Sequence, residues 1–558
     1  MARKKAEVNA DVVKAPKVRK KKEVDKQQNL EDILYECRNK LRGNANMTTK
    51  RDMLLTLVFL RFIGSRYNEQ REKIRKHLIK EFSMDAENLA QEDKEYLDQM
   101  LEDRASYQKD GVFYLKDDYN WDCLIKIPAA DRSLALDNGI SVLMKTEKDL
   151  KNALPSNLFV NAHLEPSVLK GVMDDINKID PANFKDIDLI GRVYEYFLQQ
   201  FAVNATKEDG EFYTPQSIVE LIANLIEPFD GTIYDPCCGS GGMFVQSVRL
   251  VEAHGGNKRN VTVYGQESDP DTYRLAKMNL AARGISYHLG DTNASSFTAD
   301  KHPTLRADYI MANPPFNKHG WRTEEELTKD IRWKGYGLPP VSNANYAWIL
   351  HMLYHLDKTH GIAGFLLSNG ALEDEDTVKI REQLIKNDKI EAIFILPREM
   401  FYTTDTSVTL WIMNQNKKGG LWHGHKLRNR EGEILFVDLR TWNQNNSTIK
   451  TDKSKKTFIV FNEQQMQDIV DIYRNWQICS GEKYQKDELF YSASRSEIEA
   501  QGWSLVPSRY IKFVDRDLEM DYASALKIAG EAMKSLVKSQ QENELQLIKA
   551  FKTLGYDA

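Results

Sequence analysis

Asn313-Pro314-Pro315-Phe316 is the segment whose residue types and order most narrowly restrict a chemistry. Two consecutive prolines fix backbone dihedrals and remove two N–H donors, which leaves carbonyl oxygens free to accept. The Asn313 side-chain oxygen and the Pro314 carbonyl can then both accept hydrogen bonds from one NH₂ group. The amine of a heteroaromatic ring is a poor nucleophile because its lone pair is delocalised. Two such acceptors favour a pyramidal nitrogen and release the lone pair for in-line attack. Positioning supplies up to roughly 7–11 kcal/mol in well-oriented systems, so neither a strong base nor a catalytic histidine is required. Phe316 would stack on the reacting ring, which in a duplex must first be rotated out at a cost of about a few kcal/mol.

A second group lies upstream. Asp235-Pro236-Cys237-Cys238-Gly239-Ser240-Gly241-Gly242 follows an apolar run and precedes Met243-Phe244-Val245, the start of a helix. Glycines there permit a tight turn and close approach of backbone to a ligand. The turn lacks the Lys-Ser/Thr ending of a phosphate loop, and Asp235 would repel a pyrophosphate but suits the ammonium of a methionine moiety. Gly265-Gln266-Glu267 ends the next run with a carboxylate where a ribose diol would lie. Gly290-Asp291 follows a third, placed to hydrogen-bond an adenine amine. In this order the three acids point to S-adenosylmethionine as cofactor, with an electrophilic methyl for the amine to attack.

These residues need a scaffold. Thr232–Tyr234, Val261–Tyr264, Tyr309–Met311, Ile362–Leu367 and Ile390–Leu396 are short β-branched or apolar runs separated by helical stretches. That alternation predicts an open α/β sheet with ligands at the carboxyl ends of its strands, and with the cofactor motif above the expectation is a Rossmann-like methyltransferase sheet. Val408–Met413 and Ile434–Val437 extend the sheet, and Trp442–Ser447 reads as a loop. Residues 1–28 are a Lys-rich arm with too little apolar surface to order itself. From Leu30 apolar residues recur at helical spacing, predicting an N-terminal helical domain over 29–165, joined by a helix over Asp186–Phe201 to a catalytic domain within 166–485. Residues 486–558 form a C-terminal helical region, and its long helix over Ala523–Leu554 is expected to dock on a partner. Lys318, His319, Arg322, Lys329, Arg332 and Lys334 lie in a Gly-broken segment that suits either a mobile DNA-facing loop or a solvated one.

No run approaches the roughly 20 apolar residues that span a bilayer, and the Lys-rich start lacks the apolar core of a secretory signal. The expectation is a cytoplasmic chain with no membrane association. The five cysteines lack the paired spacing of a zinc site; they are expected to be reduced and mostly buried, with no metal bound. The net charge of −5 is unusual for a protein that must hold nucleic acid phosphates unaided. If DNA is the substrate, either basic residues cluster on one surface or a partner supplies most of the grip.

Together these motifs resemble the methylation subunit of type I restriction-modification systems, over nearly all of the chain after the basic arm. The resemblance is carried by Asn313 to Phe316, by Asp235 to Gly242, and by Gly210-Glu211-Phe212-Tyr213-Thr214-Pro215 ahead of the sheet. Lys40-Leu41-Arg42-Gly43, Leu396-Pro397 and Met400-Phe401 also match that family's pattern. The resemblance implies transfer of a methyl group to the N6 amine of an adenine flipped from duplex DNA. It further implies that Phe212, Tyr213 and Thr214, with the adjoining Pro215, line the methionine end of the cofactor, and that Asp235 and Gly239, with Ser240 and Gly241 of the same turn, hold its amino acid moiety. Glu267 would hold the ribose and Asp291 the adenine. The implied partners are a specificity subunit, a second copy of this chain and, when cleavage is needed, a translocating restriction subunit. The tetrapeptide alone also serves an RNA adenine or a protein glutamine amide. A catalytically silent scaffold is a further alternative, against which intact Asn313 and Phe316 argue.

Overall fold

The computed structural model describes residues 30–84, 89–116, 119–181, 193, 196, 214–253, 256–401, 405–450, 455–479, 483–514 and 522–553. The basic arm and the expected helix over 186–201, apart from the single helical positions Val193 and Tyr196, lie outside them, as do Phe212 and Tyr213.

The chain begins with helices: α1 (Met47–Glu81), α2 (Arg132–Thr146) and α3 (Pro166–Ile176). Asn46 caps α1 by accepting from the Thr49 N–H at 2.8 Å, which satisfies one of the donors a helix start leaves open. Leu54, Val58, Phe59 and Ile63 of α1 are buried against Trp121, Leu143, Leu169 and Val172. Each such side chain contributes about 1.5–3 kcal/mol by leaving water.

Helix α4 (Gln216–Ile226) then opens the α/β part, followed by β1 (Gly231–Asp235), α5 (Gly242–Ala253), β2 (Val261–Gly265), α6 (Pro270–Ala282), β3 (Tyr287–His288) and β4 (Tyr309–Ala312). After α7 (Asn345–His355) come β5 (Ile362–Ser368), β6 (Ile390–Ile395), β7 (Val408–Asn414), the hairpin β8 (Gly420–Trp422) and β9 (His425–Leu427), and β10 (Glu433–Asp438). A second hairpin, β11 (Asn446–Lys450) and β12 (Lys455–Ile459), precedes α8 (Glu463–Ile478), β13 (Gln485–Lys486), β14 (Phe490–Ser494) and the final helix α9 (Tyr522–Thr553).

Ten strands form one sheet in the order β13-β14-β10-β6-β7-β5-β4-β1-β2-β3. Strands β3, β2, β1, β4 and β5 run parallel, β7 is antiparallel to its neighbours β5 and β6, and β10 is parallel to β6. Helices α4, α5, α6 and α8 bury one face and α7 the other, so the central strands are apolar on both sides. The expected α/β fold is therefore observed, with all seven anticipated runs present as strands. Two details differ. Asn446 and Ser447, expected in a loop, begin β11, whose partner is β12. The division expected at 485 falls inside the sheet, because β13 and β14 add to β10 beyond it.

The N-terminal helices cover the β3 edge of the sheet. Leu275, Met278 and Ala281 of α6 belong to their core, Arg51 pairs with Asp271 at 2.7 Å, and Lys277 donates to the Lys151 carbonyl at 2.8 Å. At this seam Gly284 holds a left-handed φ of +62° against Gly111, and an added Cβ would stand 2.5 Å from the Gly111 oxygen. Left-handed backbone alone costs an L residue about 1–2 kcal/mol. Gly284→Ala is therefore expected to destabilise the protein by about 2 kcal/mol or more, read as a lowered thermal midpoint; an unchanged midpoint would refute the tight seam.

Candidate active site

Strand β1 carries Asp235 to the carboxyl edge of the sheet, where the chain turns sharply into α5. Asp235 is only 2% exposed and fixes the turn by accepting from the Cys237 N–H at 2.9 Å. Gly239, at φ +54°, has no atom within 4 Å of where a Cβ would be, so backbone conformation rather than space demands glycine there. Its N–H donates to Glu267 Oε2 at 3.0 Å, and the Cys238 N–H donates to the Gln266 carbonyl at 3.0 Å. These two bonds lace the turn after β1 to the end of β2. Glu267 also accepts from the Ser268 and Asp269 N–H groups at 2.7 and 2.9 Å.

Two buried carboxylates thus share one wall. Burial pushes the Asp235 carboxyl up to about 7, against the pull of the Cys237 N–H, and the Glu267 carboxylate pushes it the same way. Burial raises Glu267 as well, against its three N–H donors. Desolvation also lifts the Cys237 and Cys238 thiols well above their ordinary value, so they remain protonated wall residues. Of the five cysteines only Cys37 and Cys238 are fully buried, fewer than expected, and all five are free thiols.

Strand β4, paired with β1, ends at Ala312 and delivers Asn313 beside this wall. The Asn313 Nδ2 donates to Thr214 Oγ1 at 2.9 Å, across 99 residues of sequence, which orients the amide. Pro314 is buried beneath, Pro315 is partly exposed, and Phe316 packs its ring against the core side of the sheet.

Asp235, Gly239, Ser240, Glu267, Thr214, Asn313 and Pro315 all line a single cavity of about 680 Å³, a volume suited to a cofactor-sized ligand. Pro215, Gly241, Pro314 and Phe316 adjoin lining residues without lining it themselves. Asp291 is not brought to it. Its side chain is 78% exposed and pairs with Lys301 at 2.7 Å, which holds its carboxyl below the usual range. The wall beyond Glu267 is built instead by Ser296 and Phe297. Ser296 Oγ donates to the Pro236 carbonyl at 2.5 Å, and the Gln266 side chain grips the same segment through the Ala294 and Ala299 carbonyls.

Trp321 and Trp348 complete that aromatic wall, with ring centroids 4.7 and 4.2 Å from Phe297. The three aromatics sit on separate segments with no shared motif, so only the topology reveals them. The Gly-broken basic segment spends its arginines internally. Arg322 donates to the Thr323, Glu324, Glu326 and Pro339 carbonyls, and Arg332 to the Ser296 and Phe297 carbonyls and to Asp330. Neither is a free phosphate ligand, since both are less than 8% exposed.

Among the described residues, Asp300, His351 and His355 form a cluster of metal-ligating types. Three of its four ring nitrogens are hydrogen-bonded: His351 bonds Tyr234 and Arg332 at 2.9 Å each and His355 bonds the His351 carbonyl at 2.9 Å, while His355 Nε2 lies 3.0 Å from Asp300. The Arg332 guanidinium against it also opposes a cation, so the cluster is a polar support beneath β1.

Comparison with known proteins bears on the whole chain. The family described as N-6 DNA Methylase matches residues 185–517, and the HsdM N-terminal domain matches residues 30–176. The HindI type I restriction enzyme methylase subunit of Haemophilus influenzae is 37% identical over 68% of this chain and 81% of its own length. The MjaIX methylase subunit of Methanocaldococcus jannaschii is 31% identical over 94% of this chain and 91% of its own. Among solved structures, the type I methyltransferase subunit from Streptococcus thermophilus shares the fold, with a TM-score of 0.66 at 22% identity, covering 88% of this chain and all of that one. These matches agree on one assignment: the chain belongs to the N-6 DNA methylase family and is an adenine-specific DNA methyltransferase of the type I restriction-modification class.

Proposed function

We propose that the cavity takes S-adenosylmethionine and that Asn313 and Pro314 present an adenine amine to it, in duplex DNA chosen by a partner. The observation that carries this reading is the meeting of Asn313 with two buried carboxylates, Asp235 and Glu267, around one cavity. The donor set fits the cofactor: a buried carboxylate whose hydrogen bonds among the described residues come from the Cys237 N–H and thiol suits an ammonium, and a second suits a diol. Asp235 and the turn through Gly239, Ser240 and Gly241 would hold the amino acid moiety, Glu267 the ribose, and Phe212 to Pro215 the methionine end. Phe297 and Ser296, rather than Asp291, stand where the wall continues beyond Glu267.

When bound, S-adenosylmethionine supplies an electrophilic methyl group. The chain's own residues do the rest. Asn313 Oδ1 and the Pro314 carbonyl accept from the target amine and orient its lone pair, Phe316 stacks on the extruded ring, and Pro315 keeps the loop rigid.

The organisation that goes with this reading is an N-terminal helical domain, the catalytic domain and the C-terminal tail, working in the cytoplasm. No helix among the described residues is long and apolar enough to cross a membrane. Helix α9 runs for 32 residues with Leu526, Met533, Leu536 and Leu545 each more than 60% exposed. Apolar surface of that extent marks an interaction site. We assign it to the specificity subunit, in a complex with a second copy of this chain and, for cleavage, a restriction subunit.

Four outcomes follow. With its specificity partner the protein should transfer labelled methyl groups to duplex DNA, and Asn313→Ala should lower transfer by about a hundredfold or more while cofactor affinity holds; full activity in that variant would sink the mechanism. Binding an ammonium requires Asp235 ionised, so affinity should fall about tenfold per pH unit below about 7 and level off above it, a dependence that Asp235→Asn abolishes in calorimetry. Without ligand, a carboxyl held protonated by the fold makes stability decline as pH rises from 3.8 towards about 7, so Asp235→Asn should be the more stable protein at pH 8. Truncation before Tyr522 should impair co-purification with the specificity subunit, and an undiminished complex would refute the docking role of α9.

A further inference from the structure

Asn317, directly after the tetrapeptide, holds a left-handed φ of +54°, a conformation that L residues other than Asn and Asp seldom adopt. Its side chain does not stabilise this alone. Asn317 Oδ1 accepts from Asn345 Nδ2 at 2.8 Å, from Ser368 Oγ at 3.0 Å and from Asn343 Nδ2 at 3.2 Å. The Asn317 N–H donates to Asn345 Oδ1 at 3.0 Å, so the two asparagines bind each other in both directions. Asn345 opens α7 and is 3% exposed, and Ser368 closes β5 and is 9% exposed. The next residue is gripped too, with the Lys318 carbonyl accepting from the Ala344 N–H at 3.0 Å.

The bland reading is a polar group satisfied for the sake of stability. The placement argues for more. Asn317 is itself exposed, so releasing it opens no cavity in the core. What the bonds determine is the path of the backbone leaving Phe316. Pro314 and Pro315 fix φ at two positions, which leaves the tetrapeptide's remaining freedom at its two ends. Thr214 holds the Asn313 end, and Asn345 holds the Asn317 end.

We propose that Asn345, assisted by Ser368, is a positioning residue for methyl transfer: it locks Asn317 in the left-handed conformation and thereby aims Phe316 and the Pro314 carbonyl at the target amine. This rests on the function proposed above. Asn345 touches neither amine nor methyl donor; it acts through Asn317.

Asn345→Asp keeps the shape but sets a carboxylate oxygen against Asn317 Oδ1. Asn317→Asp keeps the acceptor that all three donors use. Asn317→Gly removes that acceptor and makes the left-handed backbone free of strain. The experiment measures kcat and KM on duplex DNA with the specificity partner present, cofactor affinity by calorimetry, and fluorescence of 2-aminopurine at the target position as a report of stacking on Phe316. Asn345→Asp is expected to lower kcat by about tenfold to a hundredfold, leave cofactor affinity within about twofold, and alter the 2-aminopurine signal. Asn317→Asp should lose at least about fivefold less, and Asn317→Gly combined with Asn345→Asp should recover at least about fivefold over the single variant. Should Asn345→Asp not fold, Ser368→Ala replaces it, with a loss of about threefold to tenfold expected and the same rescue by glycine at 317. A kcat within twofold of the parent, or no gain from glycine, overturns the lock. A parent complex that fails to methylate DNA at all overturns the proposed function instead.

Discussion

The position of β1 between β2 and β4 is the constraint on which the site depends. The chain moves outward from β1 to β2 and β3, then returns to place β4 on the other side of β1. At such a reversal the connections leave in opposite directions and a crevice opens at the carboxyl ends of the strands. The register sets what meets there: Asp235 lies beside Gly265, and Tyr234 beside Ile310, so Asp235, Glu267 and Asn313 all emerge at one edge. No shorter route in sequence joins them.

That edge is held by polar contacts that could have been spent elsewhere. Glu267 accepts three backbone N–H groups, which ties its carboxylate to the turns on either side of it. Asp235 accepts one and remains the less satisfied of the two. A buried acid in that condition favours either a proton or a cation, and among the described residues the hydrogen bonds it accepts come from the Cys237 N–H and thiol rather than from a cation. In the proposed function a positively charged ligand would relieve this unfavourable burial, at the Asp235 end of the cavity.

The seven anticipated strands were legible because each is a β-branched or apolar run, with β4 to β7 buried on both faces, and the tetrapeptide was legible because two adjacent prolines have few structural uses. The direction of Asp291 is not legible in sequence, for a physical reason. An acid after a strand reads alike whether it turns inward or outward, and Lys301, ten residues on, draws it out. The segment of Arg322 and Arg332 suits either a DNA-facing or a solvated loop in sequence, and the structure shows a third use, since both guanidinium groups donate to backbone carbonyls. Phe297, Trp321 and Trp348 come together only once β3, β4 and α7 are in place. The hairpin of β11 and β12 and the closing strands β13 and β14 are short and polar, which leaves little periodicity to read.

These placements bear on how such a chain handles DNA. The proposed methylation of an amine without a base would make precision the main requirement, and rigidity at Asn313 to Asn317 is built from prolines and from hydrogen bonds to neighbouring elements. The basic segment beside the cavity serves the same end, since its arginines brace the aromatic wall. Cations used in this way are withdrawn from the phosphates. The net charge of −5 sets the remaining cations against a slight excess of acids. The division of labour in the proposed complex then has a physical rationale: a catalytic subunit with a slightly acidic balance, and with Arg322 and Arg332 committed to internal geometry, gains hold on the duplex from a partner chain.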